Sequence, residues 1–266
     1  MTRVLHETLA DALAASAVED KLARVGALAA DRATGKTETA PVWPVPPETA
    51  RGRPARPLLV APKDLPTRRP GSPDGLPALI HAVAHIEWCA IDLALDHAYR
   101  FPGQPDEYYA DWIGVAAEEA GHFVLLRDHL RSQGRDYGDF PAHDSLWQLN
   151  VRTGHDLVAR MALVPRLMEA RGLDATPPIQ AKLEQAGDLA GARILDIILR
   201  DEIGHVGLGD KWFRRFCADR GLDAEAEYGR LIVEYRAPRP VAPVNLAARA
   251  AAGFSPAELE RMGGRP

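Results

Sequence analysis

The sequence predicts an all-α protein, and three observations point that way. Eleven of the 22 prolines fall between Pro41 and Pro77, which gathers the strongest helix breakers into one arm. Outside that arm, alanine, leucine and charged residues recur at helical spacing, while the alternation of half-buried strands is nearly absent. Turn signals then cut residues 76–220 into pieces too long for strands: Phe101-Pro102-Gly103-Gln104-Pro105, Gly134 to Pro141, and Gly172 to Pro178.

Taken in order, residues 4–33 read as one amphipathic helix, and residues 36–77 as an extended Pro-rich arm without a long helix. Four helical segments follow at about 76–100, 106–133, 144–171 and 178–220; the last is long enough to break near Gly187 or Gly191. A Pro-rich tail from Ala237 ends in an amphipathic piece near 256–262. The expected division is 1–75 (N-terminal helix and arm, packed on the core), 76–220 (helical core) and 221–266 (helical extension and tail).

Composition narrows the function classes. With 266 residues, 46 % hydrophobic and 26 % charged, the chain matches an ordinary soluble globular protein with ample core. No stretch approaches the roughly 20 apolar residues of a membrane span. Met1-Thr2-Arg3, followed by His6, Glu7 and Asp11, lacks the apolar run of a signal peptide, so a cytoplasmic location without membrane partners is expected. Cys89 and Cys217 form no Cys-x-x-Cys pair, which excludes a disulfide framework, a zinc ribbon and a rubredoxin or iron–sulfur site within the chain. A net charge of −5 gives no general pull toward nucleic acid. Arg51, Arg53, Arg56, Lys63, Arg68 and Arg69 do make the arm basic, but spaced aromatics for base stacking are missing. A solvated linker or a strap across the core outweighs an anion-binding role there, and nucleic acid is not an expected partner.

Each core segment carries a carboxylate on its apolar stripe. Ile80, Ala84, Glu87, Ile91 and Ala94 share a face, as do Tyr108, Trp112, Val115, Glu119, His122 and Leu126. Val158, Ala162, Pro165 and Glu169 align on the third, and Leu195, Ile198, Glu202, His205 and Gly209 on the fourth. Four buried carboxylates without a counter-charge would cost several kcal/mol each, whereas two divalent cations balance them and two imidazoles complete the ligand set. Glu and His three apart project from one helix face, so each Glu-x-x-His can hold one metal. Glu87 precedes Glu119 by 32 residues and Glu169 precedes Glu202 by 33, so the core reads as two matched helix pairs. Glu118 and Asp201 stand just before the motif glutamates. Asp201 is expected to accept from the free ring nitrogen of His122, and Glu118 from that of His205. The glycines inside both motifs, Gly121 and Gly204, suggest close helix approach or room beside the metals. Pro165 should kink or widen its helix one turn before Glu169. Tyr108 and Trp112 are candidates to line a substrate pocket, with core packing the weightier reading for Tyr108. His81 and His85 lie off the stripe, where solvent or interhelix positions are the default.

Glu87, Glu119-x-x-His122, Glu169 and Glu202-x-x-His205 resemble the six ligands of ferritin-like di-iron carboxylate proteins. More narrowly, His85-Ile86-Glu87, Glu118-Glu119-Ala120-Gly121-His122, Asp201-Glu202-Ile203-Gly204-His205 and the tail's Pro243-x-Asn245 resemble the bacterial "domain of unknown function 455" family. The resemblance implies a ferritin-like four-helix bundle, and a superfamily of ferroxidases, hydroxylases, desaturases, oxidases and manganese catalases. The donor set suits two iron ions, with manganese also acceptable and zinc as a preparation artefact. The leading expectation is an oxidoreductase using O₂ or peroxide on a small organic substrate, served by an electron-donor protein. A ferroxidase in iron handling is the alternative, although long arms would obstruct a cage, so a monomer or homodimer is expected. A metal-pinned structural or interaction module is the third class.

Overall fold

A carbonyl drawn out of its helix accounts for the first departure from the sequence expectation. In the computed structural model, which describes residues 3–45, 51–69, 71–238, 240 and 242–263, the N-terminal segment forms two helices: α1 (Leu5–Ala14) and α2 (Val18–Ala33). Met1, Thr2, Pro46, Pro47 and Pro70, which entered the reading above, lie outside the described residues. The Leu13 carbonyl, which a continuous helix would give to residue 17, instead accepts from the Gly52 N–H at 2.8 Å and from Lys21 Nζ at 3.2 Å. The arm can come this close because residue 52 is glycine: a Cβ there would meet the Ala14 carbonyl oxygen at 2.1 Å. A tertiary contact thus replaces the helical bond and ends α1.

The chain divides into two units, Met1–Gln148 and Leu149–Pro266. In the first, β1 (Arg3–Val4) pairs in parallel with β2 (Thr37–Glu38), and between β2 and the next helix the described residues of the arm hold a single bridge, Leu59 to Ala142, and a 3₁₀ turn at Pro62–Asp64, in keeping with its prolines. α3 (Gly75–Arg100) and α4 (Asp106–Ser132) follow as a helical hairpin, joined by the Phe101–Pro105 turn with Gly103 at φ +77°. α1 packs on α3 and α2 on α4. By length and composition α3 could cross a membrane, but 72 % of its most apolar window is buried inside the protein.

α3 also buries two aspartates completely, and the arms satisfy one of them. Lys21 of α2, itself fully buried, pairs with Asp92. Arg51 Nε reaches the other Asp92 oxygen at 2.6 Å and its Nη1 reaches Asp144 at 2.8 Å, with the guanidinium 4.5 Å from the Trp147 ring. Arg51 therefore straps the arm to α3 rather than sitting in solvent. Asp96 pairs with Arg100 at 3.1 Å.

His81 and His85 are buried beneath residues 137–143 instead of facing solvent. His81 Nε2 accepts from the Gly138 N–H at 2.9 Å, and His85 bonds the Tyr137 hydroxyl at 2.8 Å and the His143 carbonyl at 3.1 Å. Burial, aided by His85 and Arg68 against Asp139, pushes the His81 imidazolium down to about 4. A histidine depressed in this way stabilises fully above its unfolded value near 6.5 and loses that contribution as pH falls toward 4. Wild-type stability at pH 5 should be lower than at pH 7 by about 2 kcal/mol from this residue alone. Urea titrations of wild type and His81→Gln should differ in pH slope by that amount; parallel slopes would disprove it.

In the second unit the expected third segment breaks and then overruns its predicted end. α5 (Ser145–Arg152) enters from the first unit and ends at a turn, and Asp156 starts α6 (Leu157–Leu163) by accepting from Val158 N–H at 2.9 Å. At Pro165 the helix widens into a π-turn, Val164–Glu169, then runs on as α7 (Ala170–Gln185). Pro165 removes one donor, and the wider turn is the chain's accommodation of it. α7 continues through Pro177 and Pro178, where a stop was expected. Pro177 cannot donate to the Leu173 carbonyl, and Asn245 Nδ2 of the tail takes its place at 3.2 Å. The break comes at Gly187 (φ +83°) instead, one of the two places allowed for it, and Asp188 caps α8 (Leu189–Asp219) at 2.9 Å. α9 (Ala224–Glu234), α10 (Leu246–Ala251) and α11 (Pro256–Gly263) complete the unit. Arg249 of α10, fully buried, pairs with Asp174 of α7 at 2.6 Å.

Candidate metal centre

In the first unit the hairpin brings three expected ligands together. Glu87 projects inward from the middle of α3, and Glu119 and His122 from α4; the three are 4 %, 0 % and 3 % exposed. His122 Nδ1 lies 3.3 Å from a Glu87 oxygen and 3.4 Å from a Glu119 oxygen. One ligand atom from each falls within 4.8 Å of the others, the span of a single cation's ligand sphere. Trp88, Phe123 and Tyr137 pack beside these helices, so the backbone that carries the ligands is held by buried rings.

The electrostatics describe a cluster that retains protons in place of a cation. Burial first, and then the Glu119 charge, pushes the Glu87 carboxyl up to about 8. Burial works against a charged His122, but hydrogen bonding and attraction from Glu119 and Glu87 outweigh it and raise the imidazolium to about 11. Ligating carboxylates and imidazoles must be free of protons, so uptake of a divalent ion here releases protons.

The second unit carries the matching set. Glu202 and His205 are buried on α8, with His205 Nδ1 3.7 Å from a Glu202 oxygen. Among the described residues Glu202 Oε2 is buried without a hydrogen-bond partner, a costly state for a carboxylate and a fitting one for a metal ligand. Glu169, half-buried, is the last residue of the π-turn. Gly209, one turn beyond His205, brings α8 against that turn: a Cβ there would stand 2.8 Å from Pro165 Cβ and 2.9 Å from the Arg166 nitrogen.

The profile of the family described as "Protein of unknown function (DUF455)" matches residues 14–260. This chain belongs to that family. It is also similar to an uncharacterized protein of Haemophilus influenzae (strain ATCC 51907 / DSM 11121 / KW20 / Rd), 47 % identical over 223 residues, covering 81 % of this chain and 77 % of that protein. No solved structure matches. All six candidate ligands of this family member fall inside the matched span.

Other candidates fall as follows. Asp201 accepts from Arg200 at 2.9 Å, and Glu118 is exposed on α4. Tyr108 and Trp112 are fully buried; the Tyr108 hydroxyl donates to the His97 carbonyl at 3.0 Å, and Trp112 meets the His97 ring edge-on. Gly121 and Gly204 make no close approach to another element among the described residues: both are exposed, with none of those residues within 4 Å of an added Cβ beyond their own helix. Nothing in the structure explains glycine there. Gly121→Ala and Gly204→Ala should each stabilise by about 0.5–1 kcal/mol, read as a rise in Tm, and a fall would refute the open-face assignment. The sequence reading missed Arg166, Asp210 and Glu258, buried charges beside the π-turn. The signal available was Arg166 following Pro165 on a helix otherwise apolar at that level.

Proposed function

We propose that this chain is a di-metal carboxylate oxidoreductase built on a ferritin-like four-helix bundle. In this reading α3 and α4 give Glu87, Glu119 and His122, the π-turn and α8 give Glu169, Glu202 and His205, and together they hold two iron or manganese ions. The observation that carries it is the buried Glu87–Glu119–His122 cluster, whose ligand atoms lie within 4.8 Å of one another. Hard carboxylate oxygens with a single imidazole per Glu-x-x-His favour iron or manganese, and six ligands leave coordination positions open on two such ions. When bound, the metals supply one-electron steps and a place for O₂ or peroxide to react with a small organic substrate.

The chain's own part is to hold its ligands buried and fixed. Glu87 and His122 give up their protons as the ions enter, and Glu118 and Asp201 are assigned to the free nitrogens of His205 and His122. The apolar stripes on either side, including Tyr108 and Trp112 toward the hairpin turn, exclude water from the ligand oxygens.

The test is metal analysis of protein purified without chelators, then optical spectra of its anaerobic ferrous form before and after exposure to O₂. About two irons per chain and an absorbance change on oxygenation are expected. Metal-loaded protein that reacts with neither O₂ nor peroxide would refute the oxidoreductase reading.

A further inference from the structure

We propose that the C-terminal tail is a working part of this centre: Glu258 of α11, acting through Arg166, fixes the π-turn that presents Glu169. The inference rests on the metal reading above for what Glu169 does, and on the following geometry for how it is held.

Arg166 sits inside the π-turn, three residues before Glu169, and is fully buried. Its guanidinium forks to two different elements. Nε donates to Asp210 of α8 at 2.6 Å, and Nη2 donates to Glu258 of the tail at 2.6 Å. The Tyr228, Phe254 and Phe213 rings surround it at 4.2, 4.5 and 5.4 Å. Glu258 is 3 % exposed and is itself placed by the Ser255 N–H at 2.9 Å and by Arg214 at 3.2 Å. On the other side of the turn, Gly209 lets α8 touch Pro165 and the Arg166 backbone.

A π-turn holds one residue more than an α-turn, and nothing intrinsic to the helix fixes where that extra residue sits. A slip by one position would rotate Glu169 by about 100° off its inward face. The Arg166 fork removes that freedom, because its two acceptors stand on separately anchored helices. A well-packed apolar side chain would give as much stability as a buried ion pair does, so the charges here act through geometry. Arg166 and Glu258 are accordingly positioning residues.

The full-length chain as wild type, Glu258→Gln, Arg166→Lys and Arg261→Ala should be compared by Mn²⁺ titration followed by EPR, and by amide hydrogen exchange without metal. Arg261→Ala cuts an exposed tail pair with Glu225 and serves as the control for general loosening of the tail. In Glu258→Gln and Arg166→Lys, exchange should rise at residues 163–170 more than elsewhere. One of two Mn²⁺ ions should bind at least tenfold more weakly, the usual size of a lost outer partner. The control should match wild type in both respects. Unchanged Mn²⁺ affinity with a lowered Tm in the two variants would overturn the proposal, as would unchanged exchange at 163–170. Wild type that takes up no Mn²⁺ would instead overturn the metal reading, and with it the role given to Glu169, whatever the exchange data show.

Discussion

Glu119→Gln is expected to abolish metal-dependent stabilisation. Glu119 is fully buried, and its charge is one of the causes that drive the Glu87 carboxyl up to about 8. The same charge holds the buried His122 imidazolium, so neutralising it removes a ligand oxygen and also the counter-charge of that ring, and the chelated variant should be somewhat less stable than wild type. With a divalent ion at a hundredfold excess over its Kd, wild type should gain about 2.7 kcal/mol and the variant almost none. Calorimetry of both proteins, with chelator and with Mn²⁺, distinguishes this centre from a buried polar network that never meets a metal. In that second case Mn²⁺ would move neither Tm.

Asp92→Ala should produce the largest loss of stability in the first unit, about 3–5 kcal/mol. It strips the counter-charge from Lys21, which is fully buried, and from Arg51, whose side chain is 4 % exposed. Lys21 also holds the Leu13 and Gly52 carbonyls, so the α1–α2 junction and the arm loosen together. Adding Lys21→Met to Asp92→Ala should recover part of the loss, because one stranded cation disappears. Urea unfolding measures both; a loss under 1 kcal/mol for Asp92→Ala would mean that these charges are hydrated in solution.

The parts of the fold legible in the sequence were those set by local chemistry. Proline density kept long helices out of the arm, and Gly103 and the prolines around it closed the α3–α4 turn near its expected bounds. The inward placement of Glu87, Glu119 and His122 followed from 3.6-residue periodicity, which burial has no means of hiding. What escaped the reading depends on partners distant in sequence. The stop after Ala14 comes from a contact with Gly52, and α7 survives two prolines because Asn245 reaches Leu173. Arg166 stood out only as a charge on an apolar level, and its role depends on acceptors 44 and 92 residues away. The motif glycines Gly121 and Gly204 were read for close helix approach or room beside the metals; both lie exposed, and the close approach belongs to Gly209.

The Asn245–Leu173 bond has a consequence for the order in which the chain assembles. A helix is ordinarily complete once its own residues have left the ribosome, since each of its bonds spans four positions. α7 is an exception, because one carbonyl in its first turn waits for a side chain 72 residues downstream. Until residue 245 emerges, the turn before Pro177 lacks that donor, and α7, a helix near the length that is marginal alone in water, is the weaker for it. Synthesis from the N-terminus therefore delivers the first unit's hairpin early and leaves the second unit's long rod to close last, when the tail folds back and seals it.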